Sequence, residues 1–377
     1  MRKAFICPTK YVQGEDELLN LGYFVKTFGE SALMIAHPGD IERVRGKLDA
    51  TSGKFGIRLI ESGFSGECSR REIARLREAS KKNGCACTIG LGGGKALDTA
   101  KCVAEGNAVI VVPTIAATDA PTSHSAVVYT EDGAFEDYAY FKQSPSLVLV
   151  DTTVIAKAPV RFLVSGMGDA LSTYFEARAA SAAFANVNAG LPCGVRERLC
   201  DPAKPTRAAL ALATLCYETL LEDGGKAKAA CEAGVVTQAL ENIVEANILL
   251  SGLGFESGGL AAAHAIHDGL TILGGTHAFY HGEKVAFGTL CQLILENAPE
   301  REFRQVLDFC LEVGLPVCLR DIGVDAIGDA ELRAVADKAC IPEESAHSMP
   351  FPITVGAVAA AIRTADRMGA VCRLPKG

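Results

Sequence analysis

The chain holds seven histidines, and four of them, His264, His267, His277 and His281, fall in one window of 18 positions. Neutral imidazole is a common ligand of zinc and ferrous iron, so this density points to a metal centre. His264 and His267 stand three apart in SGGLAAAHAIHDGL and share a face if that segment is helical, while His281 arrives from the next segment, HAFYHGEK. One carboxylate would complete three protein ligands and leave a position open for substrate, as in catalytic zinc sites. Asp169, at the predicted helix start in SGMGDALSTYFEAR, is the best candidate. An aspartate there also has a purely structural use, complementing the helix dipole.

A second constellation is CTIGLGGGKALDTAK, which sets Gly92, Gly93 and Gly94 between a predicted strand and a predicted helix. Glycines there let backbone N–H groups approach a pyrophosphate at the positive end of the helix. The match to known phosphate motifs is incomplete. A G-x-G-x-x-G run from Gly90 would need glycine or alanine at Lys95, and a P-loop fails on spacing and on the residue after that lysine. No acid stands on the strand ending at Val112, where a ribose partner is usual. The structural alternative is a tight joint that merely needs glycine. Next comes PTIAATDAPTSHSAVVY, whose Thr114, Thr118, Ser123 and Ser125 could donate to cofactor oxygens at the carboxyl edge of a parallel sheet. The same residue types also suit an ordinary turn. Asp119, in this loop, would grip a polyol by accepting hydrogen bonds from its hydroxyls.

These groups need elements to hold them. SALMIA (31–36), KFGIRLI (54–60), CACTIGL (85–91), AVIVV (108–112) and SLVLV (146–150) are nearly continuous apolar runs and read as buried parallel strands. The amino-terminal MRKAFICPTKYVQG reads as a first strand, not an export signal. Amphipathic stretches lie between, such as 68–83, which Gly84 ends. Alternation of strand and helix implies a doubly wound sheet. The run 125–140, with EDG at its centre, reads as a hairpin inserted in it. After Arg161 alanine and leucine dominate, and the pattern is helical. The expected architecture is therefore an α/β domain over 1–160 and an all-α domain over 161–377, packed closely with a cleft between them.

Composition narrows the class. The 377 residues, 49% of them hydrophobic, can close a sizeable core, and 37 Lys plus Arg against 45 Asp plus Glu leave a net charge of −8. That balance argues against nucleic acid and anionic membranes as partners, and no run approaches the roughly 18 apolar residues of a membrane span. Fourteen cysteines are scattered without C-x-x-C pairs, which fits reduced, buried thiols in a cytoplasm.

Together these segments resemble the glycerol dehydrogenase family, the zinc-dependent branch of the iron-containing alcohol dehydrogenases. The similarity runs from Lys10 and Tyr11 nearly to the end, and FESGGLAAAHAIHDGLTIL with HGEKVAFGTLCQLILENAP carries it most specifically. It implies the dehydroquinate synthase-like fold, with an amino-terminal dinucleotide-binding domain and a helical metal-binding domain. By position, it implies that Asp169, His264 and His281 hold one zinc per subunit and that Gly92, Gly93, Gly94 and Lys95 meet the cofactor phosphates. Thr114, Thr118, Ser123, Ser125 and Tyr129 would line the rest of the nucleotide site, and Asp119 would bind the polyol. Iron-dependent relatives place another histidine four residues after the ligand aspartate, where this chain has Thr173. Family members commonly end the second strand with an aspartate on the adenosine ribose; His37 stands there instead, so NADP is open beside NAD. The resemblance also implies a large homo-oligomer, often an octamer.

The expected reaction is hydride transfer from a small polyol, glycerol above all, to the nicotinamide, with the metal polarising the alcohol oxygen. His267 would relay a proton or support the site, and His124 would shape the substrate pocket or face solvent. The rival is a related-fold enzyme acting on a phosphorylated substrate, a glycerol-phosphate dehydrogenase or a dehydroquinate-synthase-like lyase. It needs cations, yet Lys284 is the only Lys or Arg between Gly258 and Pro299. A catalytically silent nucleotide-binding module is a more distant reading.

Overall fold

A computed structural model describes residues 2–191 and 201–372. In the first half the apolar runs become β1 (Tyr11–Gly14), β2 (Ser31–Ala36), β3 (Arg58–Gly63), β4 (Cys87–Gly92), β5 (Val109–Pro113), β6 (Ser125–Tyr129), β7 (Phe135–Tyr140) and β8 (Leu147–Asp151). Six of them form one wholly parallel sheet in the order β1-β8-β5-β4-β2-β3. The inner strands β2, β4, β5 and β8 are apolar on both faces because both faces are covered. On β2, Leu33 and Ile35 enter one core cluster while Ala32, Met34 and Ala36 enter another. The covering and connecting helices are α1 (Leu21–Lys26), α2 (Pro38–Phe55), α3 (Arg70–Asn83) and α4 (Gly94–Ala104).

Three expected elements shift. Lys54 and Phe55 do not open a strand; they finish α2, which Gly56 ends with φ 59°, and β3 begins at Arg58. Phe55, whose apolar character suggests a strand, packs under α1 against Gly22. The amino-terminal strand is confined to Tyr11–Gly14. The hairpin β6–β7 is inserted in the chain but not in the sheet: β5 pairs directly with β8, and β6 and β7 pair antiparallel by themselves.

From Thr152 on the chain is mainly helical: α5 (Thr152–Ala156), α6 (Val160–Ala182), α7 (Arg207–Glu232), α8 (Gln238–Glu245), α9 (Ser251–Gly258), α10 (Ala262–Leu270), α11 (His281–Leu295), α12 (Glu300–Val313), α13 (Asp329–Ala339) and α14 (Val355–Cys372). A short antiparallel ribbon, β9 (Val187–Leu191) with β10 (Asp201–Ala203), interrupts the expected all-helical composition. The amino-terminal segment crosses to this half, where Lys3 bridges Lys204 and the Ser257 hydroxyl accepts from the Ile6 N–H at 3.1 Å. One core cluster runs from Leu33 on the sheet to Ala365 in α14. Among the described residues no helix is long and apolar enough to cross a membrane.

Candidate active site

Strand order places the ligand crevice. β2 leads to β3 on one side, and the chain then returns to lay β4 on the other side of β2. In open parallel sheets that reversal leaves a crevice beyond the carboxyl ends of the two strands. Here those ends are His37 after β2 and the glycine turn after β4. Gly92 has φ 148°, a conformation that side-chain-bearing residues rarely adopt. Gly93 is the N-cap of α4 and brings no side chain to accept the first-turn N–H groups; Ala96 N–H turns to the Gly93 carbonyl at 3.0 Å, and those of Gly94 and Lys95 remain available to an anion. A cavity of about 1560 Å³ opens over this corner and reaches the helical half. Gly93, Gly94, Lys95, Thr118, Asp119, Ser125, Tyr129, Asp169, His264 and His281 all line it.

The metal-type side chains come from three helices. Asp169 lies well inside α6, not at a helix start, because the chain is already helical from Val160, directly after Pro159. His264 is in α10, and His281 is the first residue of α11. Close backbone contacts bring the three helices together. A Cβ on Gly282 would stand 1.8 Å from the Ser165 carbonyl oxygen, and one on Gly166 would stand 1.9 Å from that of Ala116. Only glycine permits such approaches, which seat α11 and the loop after β5 against α6 about one turn before Asp169.

Asp169 Oδ1 lies 3.4 Å from His264 Nε2 and 3.2 Å from His281 Nε2, and the two imidazole nitrogens are 3.3 Å apart. Ligand bonds of about 2.0–2.1 Å at tetrahedral angles separate donor atoms by about 3.3–3.4 Å, so the triangle has the dimensions of one zinc-like face. Asp169 Oδ1 is buried and makes no hydrogen bond, an arrangement that a cation would satisfy. These three residues form the one metal-type group among the described residues. His277 does not join them: its Nε2 donates to the Thr271 carbonyl at 2.9 Å.

Each histidine is held from behind. Glu176, two turns after Asp169 on the same face of α6, accepts from His264 Nδ1 at 2.6 Å and from the backbone N–H groups of Ala261 and His264. His281 Nδ1 is 3.1 Å from His267 Nε2, and His267 Nδ1 donates to Asp268 at 2.9 Å. His267 does not line the cavity. Burial, with the neighbouring His281 charge, drives its pKa down to about 3, so a neutral ring can accept from His281 through Nε2. Burial raises the Asp169 carboxyl, but the His281 and His264 imidazoles beside it outweigh that and hold Asp169 low and anionic. Burial and the Asp169 charge push Asp119 well above the usual carboxylate range, against one bond from the Ser251 hydroxyl at 2.7 Å.

The nucleotide candidates are only partly free. Lys95 pairs with Glu67 at 2.5 Å and sits 4.9 Å from the Tyr129 ring centre. Gly92 and Thr114 do not line the cavity. Ser123 is bound by Lys101, a buried lysine in α4 that donates to the Ala120 carbonyl, Ser123 Oγ and the Ser125 carbonyl at 2.6, 3.0 and 3.1 Å. His37 lines the cavity but also caps α2, its Nδ1 accepting from Gly39 N–H at 3.2 Å. His124 neither shapes the pocket wall nor faces solvent: it is 1% exposed and donates to Glu256 through both backbone N–H and Nδ1. The holding groups Glu176, Asp268, Ser251 and Lys101 are absent from the sequence reading. Only Glu176, seven positions after Asp169, left a periodic trace.

The iron-containing alcohol dehydrogenase family model matches residues 8–152. A glycerol dehydrogenase of Citrobacter freundii is 49% identical over 98% of this chain and 98% of its own. A glycolaldehyde reductase of Halobacterium salinarum is 44% identical over the same shares. The crystal structure of glycerol dehydrogenase from Schizosaccharomyces pombe superposes with a TM-score of 0.91 at 37% identity, covering 98% of this chain and 91% of that one. The chain belongs to the glycerol dehydrogenase branch of the iron-containing alcohol dehydrogenases and is a polyol oxidoreductase.

Proposed function

We propose that the chain oxidises glycerol and related vicinal diols to hydroxyketones with a nicotinamide dinucleotide, using one zinc held by Asp169, His264 and His281. The convergence of those three ligand atoms at 3.2–3.4 Å, in a cavity shared with the glycine turn, carries this reading. A metal in that set supplies Lewis acidity that lowers the pKa of an alcohol, and the nicotinamide supplies a hydride acceptor. The protein does the rest. Gly93 and Gly94 offer the open N-terminus of α4 to the phosphates, with Thr118, Ser125 and Tyr129 along the same cavity. Asp119, fixed by Ser251, presents a carboxyl group that orients the substrate's neighbouring hydroxyl and favours diols over simple alcohols. Thr173, where iron-dependent relatives have histidine, spends its hydroxyl on Ser251 at 2.9 Å, which leaves three ligands and favours zinc. His267 acts by orienting His281 rather than by touching substrate.

In this reading residues 1–160 carry the dinucleotide and 161–377 the metal. Among the described residues the two lysines lining the cavity are already engaged, Lys95 by Glu67 and Lys204 by Asn186 at 2.9 Å. A neutral polyol therefore fits better than a phosphorylated substrate. Asp169→Asn, His264→Ala and His281→Ala should each lose stoichiometric zinc in metal analysis and lower glycerol kcat/KM by about a thousandfold or more, while NADH still binds. Parental zinc content and turnover in these variants would refute the assignment.

A further inference from the structure

Dinucleotide folds distinguish NAD from NADP where the adenosine ribose meets the strand beside the glycine turn, by a carboxylate that takes the ribose hydroxyls. In this chain the residue directly after that strand, His37, is an imidazole whose Nδ1 is occupied in capping α2. One helical turn does not pass before a carboxylate appears: Asp40, in the first turn of α2, lines the same cavity. Its Oδ2 stands 3.3 Å from the point a Cβ on Gly92 would occupy, so it lies against the end of the glycine strand. Its Oδ1 is 3.4 Å from the Thr114 hydroxyl and 2.7 Å from Arg43 Nη2.

We infer that Asp40 is the residue that selects NAD over NADP, having taken over at position 40 the ribose contact that His37 cannot make. The inference rests on the dinucleotide reading of the glycine turn. An ionised carboxylate accepts from both ribose hydroxyls through lone pairs that Arg43 and Thr114 leave free. The 2′-phosphate of NADP removes one of those donors and adds about one and a half to two negative charges beside the carboxylate. Arg43 does not reverse the preference in the parent, because its side chain is 39% exposed and its guanidinium is committed to Asp40. Removing the Asp40 charge alters both sides of the balance. It deletes the acceptor for the ribose and frees the Arg43 guanidinium, now paired with Asp40, to meet a 2′-phosphate.

The experiment is titration of NADH and NADPH by their own fluorescence against the zinc-loaded parent, Asp40→Asn, Asp40→Ala, His37→Ala and the double variant Asp40→Asn/Arg43→Ala. The parent should prefer NADH. Asp40→Asn, which keeps the volume, should weaken NADH by about tenfold to a hundredfold, the loss of hydrogen bonds to a charged group, and tighten NADPH. Adding Arg43→Ala should cancel the gain for NADPH, whereas His37→Ala should leave the NADH to NADPH ratio within about threefold, since its contact is to backbone. A ratio unchanged in both Asp40 variants, or shifted as far by His37→Ala, would overturn the inference while leaving the dinucleotide reading intact. Failure of the parent to bind either nucleotide would overturn both.

Discussion

Among individual residues, the groups that do not touch substrate decide whether those that do are ready. His264 can offer Nε2 to a cation only if its proton sits on Nδ1, and Glu176 enforces that by accepting there at 2.6 Å. His281 is fixed in the same sense by His267, which Asp268 holds in turn. Both imidazoles thus have one ring nitrogen committed to protein and the other free towards Asp169. Glu176→Gln should weaken zinc by about tenfold to a hundredfold in competition with a chelator, with unchanged helix content by circular dichroism. Undiminished zinc affinity would reduce Glu176 to a packing residue.

Among elements, the site depends on how closely helices approach. α6 touches the loop after β5 at Gly166 and the start of α11 at Gly282. One turn of π-helix over Ala246–Leu250, between α8 and α9, aims Asn247 so that its Nδ2 donates to the carbonyls of Ala116 and Leu163 at 3.0 Å each. π-turns occur frequently at functional sites, and this one sits directly before Ser251, the partner of Asp119. Gly282→Ala forces a Cβ into the Ser165 carbonyl, so it should destabilise the fold by about 1–3 kcal/mol and lower zinc retention. Gly46→Ala, inside α2 with nothing within 4 Å of its added Cβ, is the control and should be neutral or stabilising. Paired thermal melts and metal contents test both, and equal melts would deny that backbone approach holds the site.

In the whole molecule, sheet and helices share one core, and the cavity opens where they meet. The described cysteines are free thiols, most of them buried. Burial raises Cys87 to about 12, so such groups act as small hydrophobes and not as nucleophiles. Because α6, α10 and α11 each supply one of the three metal-type side chains, a cation can meet all three only in the folded chain. Zinc at a hundredfold excess over its Kd should therefore stabilise the protein by about 2.7 kcal/mol, and a chelator should lower Tm reversibly. A melting temperature indifferent to zinc and chelator would mean that the triad does not bind it in the folded state.

Much of this was legible before any coordinates. Apolar runs without alternation announce strands covered on both faces, and the histidine cluster announces a metal-type group, because residue type and short spacing suffice for both; Asp169, 95 positions before His264, meets it only in the fold. The neighbours behind the metal-type side chains were not legible. Glu176 meets His264 across 88 positions, Asp119 meets Ser251 across 132, and the Asp40 carboxylate lies beside Gly92 although 52 positions separate them. Pattern along a chain records which face a residue presents. Which distant backbone meets that face is set by crossing helices, glycine contacts and strand order, and only the folded chain brings those together.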